Sequence, residues 1–432
     1  MEIDKKSNLL SNTIMLYILV FSTYFFSFIS LPYQARILGP EYFGRVGFAL
    51  ALTNFFKLLI DFGFILSATE KVSNNRENKK ELSKIVISVN IIKFFLFVSS
   101  LIILIIIVQT IPRFKEDALF YILMLISVGI TSFLPDFLYR GIEKMRAITV
   151  RTVLIQATFV LMLFLFLNEK EDYYLIPILN IIVNLLAIIF IYIHVYKYIG
   201  LTYVSVSPQY IWKELKTSSV FFYSRIASTL YSSTNTIFLG LIYPMGNSTV
   251  GLYNSVERLV GTAKSLFSPI ADSLYPYMIR SKDFKLVRNI LIIIIPIVII
   301  CCVTVGIYAE DLLAMLFGEQ FRSAGYILRV LLPVVVMSPI IYILGFPVLT
   351  PMGLSKHANY SIISASIIHL FMLTIVFLMG EFNVIVLCIL VVITESLILL
   401  YRIIVVWKHR DMFPIKKITS SNPIRRIDVN EK

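Results

Sequence analysis

Apolar residues along this chain come in blocks of about 20, the helical length that crosses roughly 30 Å of bilayer hydrocarbon. Twelve blocks can be read: 10–31, 43–67, 84–108, 117–139, 147–167, 173–196, 218–243, 249–276, 288–308, 324–346, 359–379 and 383–407. Polar stretches between them are short, and the longest, near 68–83 and 197–217, are too small for a soluble domain. The pattern predicts an all-α integral membrane protein of about 12 transmembrane helices. A hydrophobic share of 58% and a mean hydropathy of +0.84 agree with that class. The first block is too long for the apolar part of a signal peptide and lacks a small-residue cleavage site, so it is expected to stay as the first span.

Charge adds an orientation. The net charge of +13 could suggest nucleic acid, but its distribution is that of a membrane protein. The N-terminus, the even-numbered connections and the tail hold about 26 Lys and Arg, against about 5 on the other side. Those five are Arg36, Arg113, Lys115, Lys170 and Arg322. Both termini are expected in the cytoplasm, with the basic, proline-containing segment 408–432 as a cytoplasmic tail. Glu310–Arg322 reads as a short amphipathic helix on the outer surface.

The chain also repeats itself. Gly39, Gly44 and Lys57 recur as Gly246, Gly251 and Lys264, at a constant offset of 207 residues. A second echo pairs Gly141 and Lys144 with Gly353 and Lys356. Two six-helix lobes, 1–205 and 206–407, would start on the same side and so form parallel repeats, a transporter's plan.

Ionisable residues inside spans are costly and usually face a cavity or a partner. The basic set is Arg45, Lys57, Lys93, Arg225, Arg258, Lys264, Arg329 and Arg402; the acidic set is Asp61, Asp136, Glu257, Asp272 and Glu395. Arg45, Asp136, Asp272 and Arg402 lie near span ends, where snorkelling to the interface is expected. The deep ones form stripes. Asn54, Lys57 and Asp61 share one helical face, as do Arg225, Ser228, Ser232 and Asn235, and Tyr253, Glu257, Gly261, Lys264 and Ser268. These faces could meet across one central cavity. Deep bases outnumber deep acids, which points to phosphate or carboxylate cargo on Lys57, Lys264, Arg225 and Arg258. Asp61, Glu257 and Glu395 could carry a coupling proton or sodium ion. The alternative is structural pairing, Lys57 with Asp61 and Glu257 with Arg258 or Lys264.

Other chemistry is poorly supplied. Cys301, Cys302 and Cys388 all fall inside apolar blocks, and His194, His357, His369 and His409 are scattered without metal-like spacing. Packing is the expectation for the cysteines, and packing or an interfacial place for the histidines. No phosphate-binding loop is present, so no nucleotide, cofactor or metal is called for.

Four stretches resemble a known family: LPYQARILGPEYFGRVGFALAL (31–52), LLIDFGFILSATEKVS (58–73), FLYRGIEKMRAIT (137–149) and LFGEQFRSAGYILRVLLP (316–333). Together they resemble the polysaccharide transporter family. These are the O-antigen and capsule repeat-unit flippases of the multidrug/oligosaccharidyl-lipid/polysaccharide exporter superfamily. The resemblance implies two lobes in alternating access across a bacterial cytoplasmic membrane, with no enzymatic step. The implied cargo is undecaprenyl diphosphate carrying a short glycan. Implied partners are that lipid-linked oligosaccharide, membrane lipids, a glycan polymerase and a chain-length regulator, with H+ or Na+ as the coupling ion and no nucleic acid. One departure stands out: Pro135-Asp136-Phe137 replaces the P-W-F of many members. A multidrug exporter or a lipid II flippase of the same superfamily is the alternative. A membrane-embedded glycan polymerase is more remote, because no loop is large enough for its chemistry.

Overall fold

A computed structural model of the chain describes residues 2–409 apart from Met245, and side chains apart from 2–13, Val220, 223–225 and 227–232. The tail beyond His409 therefore lies outside the described residues. The regular structure of the described residues is helical throughout. In order come α1 (Glu2–Asp61), α2 (Phe64–Asn74), α3 (Lys79–Thr110), α4 (Ala118–Ser132), α5 (Asp136–Gly141), α6 (Met145–Phe166) and α7 (Leu175–Ile193). Then follow α8 (Pro208–Ile242), α9 (Ser248–Ser265), α10 (Ser268–Ser281), α11 (Phe284–Ile307), α12 (Ala309–Phe317), α13 (Gly325–Ile343), α14 (Ser355–Leu378) and α15 (Val384–Lys408).

Among the described residues, nine helices are long and apolar enough to cross a membrane. The first of these runs Ile14–Asn74, 61 residues. At 1.5 Å per residue it would reach about 90 Å, three times the hydrocarbon thickness, so it is no single crossing. It breaks at Gly39, whose φ of 66° and ψ of 173° leave the helical region, and again at Phe62–Gly63. The described part of α8 includes the apolar stretch Ser233–Ile242, while helices α9 and α10 are not among the nine, being too short or too polar. That polarity holds the candidate site residues. Elsewhere the surface is apolar, with Phe94, Phe95, Leu154, Phe190 and Ile300 all exposed, as lipid contact requires.

Two predicted spans are interrupted. The block 117–139 divides at Pro135 into α4 and α5, and the block 249–276 divides at Leu266–Phe267 into α9 and α10. The stretch Glu310–Arg322 forms α12 and a 3-10 turn over Glu319–Ala324. Its Phe321 is buried and meets the Phe43 ring edge-on at 5.9 Å, so part of this helix-turn is packed rather than laid on a surface.

The helices are joined unevenly. The largest apolar cluster draws on α1, α4, α7, α9, α12, α13 and α15, so it includes both sequence halves. A second cluster centres on α2, α3 and α5, and a third on α10, α11 and α13 with the turn after it. Helix α8 ties the two sets of helices together. Early on it meets α2 and α3 through Ser218–Ser67 at 2.7 Å, Glu214–Lys71 at 2.9 Å and Tyr210–Glu81 at 2.8 Å. Near its end Asn235 meets His369 of α14.

Within the shared cluster, α1 and α9 cross at the repeated glycines. A Cβ on Gly251 would lie 1.8 Å from the Pro40 carbonyl oxygen, and one on Gly44 would lie 2.8 Å from the Gly251 nitrogen. Gly44 and Gly251 are equivalent positions of the repeat. Such positions meet each other when two like units pack about a two-fold axis. Small residues at a membrane helix crossing allow this backbone approach. Gly251→Ala should therefore overpack the crossing and cost about 1–3 kcal/mol. A drop of several degrees in the melting temperature of purified protein is the expected reading. Gly261→Ala is the control, because nothing lies within 4 Å of a Cβ there; equal melting of the two variants would discount the crossing.

Candidate functional site

From the crossing, α1 and α9 run in register: Gly44 meets Gly251, and a Cβ on Gly47 would meet the Asn254 side chain. Lys57 and Lys264 each lie 13 residues further along, about 20 Å of helix rise from the crossing. Asn54 is exposed, Lys57 and Asp61 are half-buried, and the Gly261 position opens onto empty space. The polar faces of α1 and α9 are thus partly open beyond the point where the backbones touch.

Neither pair in the alternative structural reading forms. Asp61 faces Lys93 of α3 at 3.6 Å, and Lys57 has no hydrogen bond or ion pair among the described residues. Lys264 forms its ion pair with Glu395 of α15, not with Glu257. Glu257 accepts a hydrogen bond from Thr236 of α8 at 3.1 Å. Arg258 reaches from α9 to α1, its guanidinium carbon 5.6 Å from the centre of the Phe43 ring. The side chain of Arg225, with those of Ser228 and Ser232, lies outside the described residues. Asn235, the last of that stripe, is buried against His369 at 2.7 Å.

Three of the four residues assigned to snorkelling have side-chain or backbone partners within the protein. Arg45 is held by Asp117 at 3.1 Å, and Asp136 by Arg151 at 2.6 Å. Arg402 is 4% exposed; it bonds Ser361 Oγ at 3.0 Å and the carbonyls of Ala358 and Ile341. Room for Arg402 comes from Gly345, where a Cβ would lie 2.7 Å from its Nη1. The fourth, Asp272, is exposed, taking a hydrogen bond from Ser268 at 3.2 Å.

Lys93 follows the same logic as Arg402. It is 5% exposed and donates to the carbonyl of Ser132, the last residue of α4, at 2.5 Å. The break at Pro135 leaves that carbonyl without its helical partner, and a helix C-terminus favours a cation. Both Lys93 and Arg402 are thus fixed at interrupted helices. Sequence reasoning listed them without choosing them. A signal was available for Arg402, seven residues from Glu395 and so on the same helical face.

A cavity of about 630 Å³ opens among α9, α10, α13, α14 and α15. Lys264, Glu395, Arg402, Asp272, Tyr275 and Tyr342 line it. Of the predicted site residues, it brings together Lys264 and Glu395; Lys57, Asp61, Glu257 and Arg258 lie outside its lining. Among the described residues, the deep cations not matched to a carboxylate by an ion pair are Lys57, Arg258 and Arg402. Glu257 is the deep acid in the same position. Among the described residues, no group of three His, Cys, Asp or Glu could hold a metal ion.

Interrupted membrane helices, a pseudo-symmetric crossing and charged residues within the spans are what a multi-pass membrane transporter requires. Comparison with known proteins sharpens the class. The family described as "Polysaccharide biosynthesis protein" matches residues 9–282, more than half of the chain, and the protein belongs to that family. A relative in Escherichia coli (strain K12), named "Putative O-antigen transporter", is 26% identical over 85% of this chain and 90% of its own. One of the same name in Shigella dysenteriae is 26% identical over 91% and 98%. Among solved structures, an inward-facing multidrug resistance MATE family transporter of the MOP superfamily overlays with a TM-score of 0.70. It is 14% identical, covering 92% of this chain and 96% of that one. The lipid II flippase MurJ, in an inward closed conformation, gives 0.66 at 12% identity, over 92% and 87%. These likenesses establish the fold.

The Lys264–Glu395 pair gives a direct test of how the site is held. Removing one partner of a buried pair strands the other, at a cost of about 3–5 kcal/mol. Glu395→Leu should therefore melt well below wild type. Lys264→Met/Glu395→Leu, with both charges gone, should recover most of the loss. A double variant no more stable than Glu395→Leu would show that the pair contributes little.

Proposed function

We propose that this protein is a flippase that carries a polyprenyl-diphosphate-linked oligosaccharide, an O-antigen, capsule or related repeat unit, across the bacterial cytoplasmic membrane. The observation that carries the proposal is Lys57: a half-buried lysine in a membrane helix with no partner among the described residues, level with its repeat counterpart Lys264. An unpaired cation at that depth is costly unless an anion visits it. A drug exporter for cations would need the opposite sign. The relatives' names agree with a glycan cargo.

In this reading the chain makes twelve spans in two six-helix lobes, 1–205 and 206–407, with both termini in the cytoplasm. The site opens to the cytoplasm, which agrees with the better overlay on the inward-facing transporter, 0.70, than on the outward-facing one, 0.55. The diphosphate enters and is held by Lys57, Lys264, Arg225 and Arg258, while the glycan fills the wet cavity and the polyprenyl chain stays in lipid. Lys264 exchanges Glu395 for phosphate. Glu395, Asp61 or Glu257 then takes up H+ or Na+, which couples the cycle to a cation gradient. A glycan polymerase and a chain-length regulator would receive the product outside.

The test is a strain lacking this protein, scored for the leaflet that holds the polyprenyl-diphosphate glycan. Inner-leaflet accumulation should follow, relieved by wild type. Each charge-assisted contact is worth about 1.5–3 kcal/mol, or roughly tenfold to a hundredfold in binding. Lys57→Ala/Lys264→Ala, inserted normally in the membrane, should thus export at under about a tenth of the wild-type rate. Wild-type export by that double variant would remove the phosphate role.

A further inference from the structure

The second sequence echo, Gly141 and Lys144, has no part in the transport cycle above. Lys144 sits at the mouth of another groove, about 930 Å³, between α6 and α7. Its walls are apolar and turned to lipid: Val150, Leu154, Leu186 and Phe190 are all exposed. It runs along α6 from Lys144 to Thr158, about 20 Å at 1.5 Å per residue. That is close to the depth of one leaflet, half of roughly 30 Å, and so to the length of an acyl chain.

The mouth is cationic, and its charges are unevenly satisfied. Five ionisable groups line it: Glu143, Lys144, Arg146, Arg151 and His194. Glu143 is engaged by Arg76 at 2.6 Å, Arg151 by Asp136 at 2.6 Å, and His194 by Tyr139 at 2.8 Å. Lys144 and Arg146 are exposed and make no ion pair or hydrogen bond among the described residues. The buried Nε of Arg151, in the groove wall, lacks any hydrogen-bond partner. Two cations with no partner among the described residues and one unpartnered guanidinium nitrogen along a leaflet-deep apolar groove match one kind of molecule.

We propose that the α6–α7 groove holds an anionic phospholipid of the cytoplasmic leaflet, its phosphate on Lys144 and Arg146 and its acyl chains along Leu154, Leu186 and Phe190. Basic pockets between membrane helices on the cytoplasmic side commonly take anionic headgroups. The leaflet rests on the orientation given above; the ligand chemistry does not.

The experiment is native mass spectrometry of the purified full-length protein, titrated separately with phosphatidylglycerol and phosphatidylcholine of the same acyl chains. Wild type should bind phosphatidylglycerol at least about tenfold more tightly, the worth of one charge-assisted contact. Lys144→Gln/Arg146→Gln should lose that ratio while melting at the wild-type temperature. Val150→Trp, which fills the groove below an intact mouth, should weaken both lipids. Equal binding of the two lipids by wild type would overturn the proposal, as would a preference that survives Lys144→Gln/Arg146→Gln. Displacement of phosphatidylglycerol by an equimolar polyprenyl phosphate would assign the groove to the transported lipid instead.

Discussion

Everything in this structure hangs from the place where α9 lays Gly251 against the carbonyl of Pro40. No side chain fits there, so the two helices touch backbone to backbone. The contact joins repeat-equivalent residues and sits inside the largest apolar cluster, to which both halves contribute. Clusters away from it belong to separate groups of helices. Away from that contact the halves also meet where the start of α8 lies on α2 and α3. Between these two places the polar faces of α1 and α9 stay partly open. Position along the helix then does the rest: residues 13 beyond each glycine come out level.

Holding charge on such faces is an electrostatic problem. An unpaired buried cation is expensive, and the fold answers by breaking helices to supply acceptors. Pro135 releases the Ser132 carbonyl to Lys93, and the irregular turn at Gly345 gives Arg402 room beside the Ile341 carbonyl. Carboxylates complete the arrangement, Asp61 for Lys93 and Glu395 for Lys264. Lys57 is left out of these arrangements, which is why it carries the functional reading.

The repeat was legible in the sequence because its glycines and lysines keep one offset, and the structure gives that offset a physical contact. Helical class and membrane residence were legible from the apolar blocks. Partner choice was not. Asp61 is four residues from Lys57, a spacing that favours pairing on an isolated helix, yet a lysine 32 positions further on takes it. Tertiary packing decides that, and one helix's periodicity does not contain it. Arg402 misled for a related reason. Depth in a block measures distance to the nearest polar loop, whereas burial depends on which neighbours wrap the end of the span. The interruptions at Pro135 and Leu266 were hidden too, because apolar composition continues across them.

A transporter must also let go of its closed end, and the contacts there suit release. Arg36 donates to the carbonyls of Met315 and Leu316, at the end of α12, and Arg113 to that of Leu241, at the end of α8. Arginines of the first half thus cap helices of the second at carbonyls that lack helical partners. Water can replace such bonds with little net loss, since a hydrogen bond exchanged for solvent is worth only about 1 kcal/mol. Arg113 even keeps Nε and Nη2 buried without partners in the closed arrangement, a penalty that opening would relieve. The deep ion pairs behave differently: Asp61–Lys93 lies wholly within the first half and Lys264–Glu395 wholly within the second. A rocking motion would therefore break the replaceable contacts between halves without itself separating Asp61 from Lys93 or Lys264 from Glu395.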